Sequence, residues 1–87
     1  MSTEKMPSSL ELERAILEVL TKASTPLTNE QISEKVVVFL EICTEITEVM
    51  HSQSRTELDY RLAWARTKAS KKNLIERVGP KTWKAIG

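Results

Sequence analysis

The chain has 87 residues, a formal net charge of +1, two glycines and one cysteine. That length makes one domain with a single core, burying ~60–65% of the surface its unfolded chain exposes, and it leaves no room for a deep substrate cavity. Leu, Ile, Val and Phe total 22 residues, which is enough for a folded core and argues against a disordered chain.

The small net charge hides an uneven distribution. Residues 1–50 carry four Lys or Arg against nine Glu, whereas residues 51–87 carry nine Lys or Arg against Glu57, Asp59 and Glu76. This asymmetry suggests an acidic supporting half and a basic half that meets a polyanion. The bland alternative is that both halves are solvated helix faces. Cys43 lies among Phe39, Leu40, Ile42 and Ile46, so it reads as a small core residue and not as a reactive thiol. One cysteine allows no disulfide within the chain, which fits a reducing compartment. No apolar run approaches the ~20 residues of a membrane span, and residues 1–9 are polar and lack the apolar segment of a signal peptide. The expected location is cytoplasmic, away from membranes.

In chain order, residues 1–7 read as a loose tail and residues 8–87 as the domain. Ser8 and Glu11 have the spacing of a capping box. Leu12, Ala15, Ile16, Val19 and Leu20 then recur at three and four residues, so a helix is expected to end near Ala23, with Glu11, Glu13 and Glu18 on its outer face. Ser24-Thr25-Pro26-Leu27 breaks it, and the short extended run before Thr28 is available as a third strand. Thr28 and Gln31 form a second capping box. The helix behind it passes through Ile32, Val36, Phe39 and Leu40, and its four-residue spacing outweighs the β-branched Val36-Val37-Val38 run. Ile42, Ile46, Val49 and Met50 keep helical spacing, which predicts a short additional helix or an extension of the second. His51-Ser52-Gln53 is then a turn.

The third main helix is expected over Arg55–Lys72, capped by Ser54 with Glu57 closing the box. Leu58, Leu62, Ala65 and Ala69 form its apolar stripe. Lys68, Lys71 and Lys72 suit the negative end of its dipole, and Asn73 suits a left-handed stop. Leu74–Val78 follows as a strand, Gly79-Pro80-Lys81-Thr82 as a turn, and Trp83–Ile86 as the returning strand. Trp64 is too large to leave in water and is expected to pack under this hairpin with Trp83. The predicted fold class is α+β and mainly α: a winged helix-turn-helix of three main helices, with the possible short extra helix and a C-terminal β-hairpin wing.

Catalytic chemistry finds little purchase. There is one His and one Cys, no glycine-rich phosphate loop, no nucleophile-elbow serine and no cluster at metal-ligand spacing. No Asp or Glu has Lys two positions later, the pairing common in metal-dependent nucleases. A non-enzymatic protein without cofactor or metal is expected.

Double-stranded DNA is the expected partner. A helix-turn-helix reads base edges with the start of its recognition helix, here Gln53, Ser54, Arg55, Thr56 and Asp59. Arg suits guanine O6/N7 and Gln suits adenine N6/N7. Expected contacts to the DNA backbone are Tyr60, Lys68, Lys71 and Lys72 along the helix, and Lys81, Thr82 and Lys84 at the wing. For each residue the plain alternative is a solvated surface role. A single such module touches few phosphates, so a homodimer or a partner protein is expected as well. The competing reading is a protein-interaction or dimerisation module that does not bind DNA.

Three stretches carry a family resemblance. They are Arg55-Thr56-Glu57-Leu58-Asp59-Tyr60-Arg61-Leu62-Ala63-Trp64-Ala65-Arg66, then Lys71-Lys72-Asn73-Leu74-Ile75-Glu76-Arg77, then Trp83-Lys84-Ala85-Ile86. In these, and in order from Ser8 to Ile86, the chain resembles the N-terminal winged-helix domain of Mrr-type restriction proteins. That family shows an Arg-rich helix with a Trp-Ala pair, a Lys-rich helix end, a Gly-Leu-Ile/Leu-Glu step and a Trp in the returning strand. Here Asn73 stands in place of the usual glycine, and the wing turn is short. The family's nuclease lies in a separate C-terminal domain, so the resemblance implies binding of DNA or protein by the module and not cleavage.

Overall fold

The structure is a computed structural model that describes residues 6–52 and 55–86; for residues 51, 52 and 55 it describes the backbone alone. The chain folds as α+β: α1 (Ser9–Lys22), β1 (Leu27–Thr28), α2 (Asn29–Phe39), α3 (Thr44–Thr47), β2 (Met50–Ser52), β3 (Arg55–Thr56), α4 (Glu57–Lys71), β4 (Ile75–Gly79) and β5 (Thr82–Ala85). β1, β5 and β4 form an antiparallel sheet in that spatial order, and β2 pairs with β3 in a separate ribbon. The extended run before Thr28 is therefore the third strand, with Leu27 opposite Trp83 and Thr28 opposite Thr82.

The helix ends follow local chemistry. The Ser8 hydroxyl accepts from the Glu11 N–H at the start of α1. At α2 both halves of the Thr28–Gln31 capping box form. Two helices stop on left-handed residues. Glu41 (φ 52°) ends α2 and Asn73 (φ 60°) ends α4. In each case the following N–H, from Ile42 or Leu74, reaches back to Val37 O or Ala69 O at 3.0 Å, which closes a Schellman motif. Asn73 thus serves as the left-handed stop expected of it.

The core joins all layers. α1 supplies Leu12, Ala15, Ile16, Val19 and Leu20; α2 supplies Ile32 and Val36; α4 supplies Leu58, Leu62, Ala65 and Ala69; Leu27, Ile42 and Ile75 complete it. The alanines on α1 and α4 let these helices approach closely, and their contact is the most extensive in the molecule.

Several expectations are corrected. α4 begins at Glu57, not Arg55, and its cap is Thr56, whose hydroxyl accepts from the Asp59 N–H at 3.1 Å. The Glu57 N–H is tied to Val49 O at 2.8 Å, so residues 55–56 are held as a strand against β2. The helical spacing of residues 42–50 does give the short additional helix, α3, but Met50 to Ser52 form β2, so residues 51–52 are strand and not the expected turn. Glu13 is not on an outer face. Its side chain is 7% exposed and accepts a 2.8 Å hydrogen bond from the Lys72 ammonium, where the end of α4 crosses α1. Phe39 is 44% exposed and stands outside the core, under the Lys22 ammonium at 5.4 Å from its ring centre, and Cys43 is only part-buried. Among the described residues, no helix is long and apolar enough to cross a membrane.

Candidate nucleic-acid interface

Helix geometry decides which residues of α4 can meet a partner. With Leu58, Leu62, Ala65 and Ala69 turned to the core, positions 60, 63, 64, 67 and 71 fall on the outer face at 100° per residue, and position 68 lies on the flank toward α1. Tyr60, Ala63, Trp64 and Thr67 line a shallow groove there. Trp64 is 51% exposed and does not pack with Trp83. Position 64 lies about 200° around the helix from Leu62, so the stripe that fills the core forces the indole outward. Arg66, two residues further on, is buried instead.

Many of the cations that the sequence offers are engaged. Arg61 Nε donates to Glu57 Oε1 at 2.9 Å within α4. Lys72 pairs with buried Glu13. Lys68 Nζ reaches Ser9 Oγ at 3.5 Å, a contact that leaves its charge in place. Lys71 is exposed and has no partner among the described residues.

The start of α4 is acidic. Glu57 and Asp59 lie in its first turn, where they suit the positive end of the helix dipole. Asp59 also accepts from the Ser33 hydroxyl of α2 at 3.4 Å, and the Thr56 hydroxyl is occupied as the cap. Of the residues expected to read bases, Thr56 and Asp59 are therefore committed to the fold. Arg55 stands in β3, just before the helix, and Gln53 and Ser54 lie outside the described residues.

The β4–β5 turn is tucked in. Pro80 and Lys81 form the tip, with Lys81 in the left-handed region (φ 54°). The Asn29 N–H, at the head of α2, donates to Lys81 O at 2.9 Å. Asn29 Oδ1 accepts from Trp83 Nε1 at 2.8 Å. The Thr82 hydroxyl donates to Pro80 O, and Lys84 pairs across the hairpin with Glu76 at 3.2 Å. The Lys81 side chain remains exposed, with no partner among the described residues. The tip therefore sits at the level of the α2 N-terminus.

The structure brings Tyr60, Ala63, Trp64 and Thr67 together in one groove, whereas the sequence alone points to Tyr60 as a backbone contact and to Trp64 under the hairpin. Sequence reasoning missed Asn29, whose only signal was its place directly behind a capping threonine. Comparison with protein-family models, with curated proteins and with solved structures finds no match.

Proposed function

We propose that the chain is a winged-helix module that binds double-stranded DNA through the outer face of α4, with Lys81 at the wing tip on the phosphate backbone. The observation that carries this reading is the open face of α4: a groove lined by Tyr60, Ala63, Trp64 and Thr67, followed by the uncompensated charges of Lys68 and Lys71. The connectivity agrees with it. A helix, a short strand and two further main helices, with the four-residue α3 and the β2–β3 ribbon between them, precede a hairpin whose returning strand lies between its partner and β1, an order that fits a winged helix with an insertion before its recognition helix. The resemblance to the N-terminal domain of Mrr-type restriction proteins points the same way, toward a regulator or a restriction-related targeting module without cleavage.

Because the first turn of α4 is acidic, the contacts lie in the middle and end of the helix and not at its start. Few groups that read base edges lie there, so binding is mostly tolerant of sequence, and the small number of cations keeps it weak. Fluorescence anisotropy of a labelled random duplex at several salt concentrations tests the proposal. Binding with a log–log salt slope of about −2 to −4 is expected, one phosphate for each cation near the face and the wing tip. No binding at low salt would overturn it.

One observation favours a second reading, a protein-interaction module. Val38 is 76% exposed and, with Phe39, Val19 and Ala23, borders an apolar groove between α1 and α2. Patches of this kind on small domains commonly meet protein, and a stable dimer in sedimentation without DNA binding would support that reading.

A further inference from the structure

The middle of the α4 outer face is poorly equipped to read base edges. Ala63 has no polar side-chain atom, and the Thr67 hydroxyl donates its proton to Ala63 O at 3.0 Å. Trp64 carries one N–H donor on a large flat ring. What the face does offer is aromatic surface one helical turn apart, Tyr60 then Trp64, with Lys68 and Lys71 in the following turns. Aromatic rings beside cations are the means by which proteins hold bases that are out of their stack, because every base has a π-face. The platform is short and shallow. Two rings and two lysines cannot track a long single strand, but they can take one base while the flanking DNA is held elsewhere.

We infer that Trp64 stacks on an unpaired base within a DNA duplex, so that the module prefers duplexes carrying a bulged or mismatched nucleotide. This inference rests on the DNA-binding reading above. The ligand is committed to duplex DNA with one extrahelical base; the phosphates beside that base fall to Lys68 and Lys71.

The test uses the full chain and three labelled DNAs: a paired duplex, the same duplex with one bulged thymine, and a single strand. The bulged duplex is expected to bind about tenfold more tightly than the paired one, the order expected of a single aromatic–base stack. In a Trp83→Phe variant, the fluorescence of Trp64 should be quenched by the bulged duplex and much less by the paired one. If Trp83→Phe does not fold, the same quenching is obtained as the difference between the wild type and Trp64→Ala, a change at an exposed position. Trp64→Ala should erase the preference, lowering affinity for the bulged duplex about tenfold more than for the paired one. Equal affinity for paired and bulged duplexes would overturn the stacking inference and leave the DNA-binding reading standing. A single strand that binds and quenches as well as the bulged duplex would also overturn it. Failure of all three DNAs to bind would overturn both.

Discussion

Trp83 and Asn29, 54 residues apart, are joined by a 2.8 Å hydrogen bond from the indole Nε1–H to the amide Oδ1. Asn29 uses its own backbone N–H on Lys81 O at 2.9 Å, so one residue at the head of α2 holds both the returning strand and the tip of the hairpin. Asn29→Ala removes the acceptor and leaves a part-buried indole N–H without its partner. A loss of about 1–2 kcal/mol in stability is expected by urea denaturation. Asn29→Asp, which keeps the acceptor, should cost less. Equal losses for the two variants would show that the hydrogen bond is not what matters.

Lys72 and Lys71 are neighbours with the same charge, but only Lys72 touches a buried group. Lys72→Ala strips the near-buried Glu13 carboxylate of its ammonium donor, and a loss of about 1–3 kcal/mol is expected. Lys71→Ala should stay within about 0.5 kcal/mol, as exposed substitutions do. Thermal melts of the two single variants compare them directly.

The helix start offers a third comparison. Thr56→Ala removes the hydroxyl that accepts from Asp59 N, and a cost of about 1 kcal/mol is expected for a lost cap. Ser54→Ala should cost less, because the cap of α4 is Thr56. A larger effect at position 54 would restore the earlier helix boundary.

For DNA, Lys71→Ala and Lys81→Asn are the informative charge removals. Asn tolerates the left-handed backbone at position 81, so the second change removes charge without disturbing the turn. Each should make the salt slope shallower by about 0.9 if the lysine meets a phosphate. Unchanged slopes in both would remove these two contacts from the proposal.

Much of the fold was legible because its signals are local. Capping pairs, three- and four-residue spacing and Asn73 each report on a few neighbouring residues, and they located α1, α2 and the hairpin well. The start of α4 was missed because two competing caps lie two residues apart, and the choice between Ser54 and Thr56 is made by the contact of Glu57 with Val49. The ribbon of β2 and β3 was missed because Ile42, Ile46, Val49 and Met50 satisfy a helical period that tertiary pairing overrides. Size alone was a poor guide for Trp64, whose place follows from Leu58 and Leu62. Glu13 was misplaced for a different reason. Its partner Lys72 lies 59 residues away, and no local pattern announces such a pair.

The two polar clamps also bear on how the molecule acquires its shape. Lys72 to Glu13 and Trp83 to Asn29 span 59 and 54 positions, and the main helical contact joins the first helix to the last. The ends of the domain must therefore meet before its centre is secure, and the entropy of closing those long loops is lost before the contacts return it. A chain built this way should collapse and unfold as a unit, more slowly than a helical bundle of equal length. A fragment holding only residues 27–72 lacks the first helix and the returning strand, so it should not keep its shape alone.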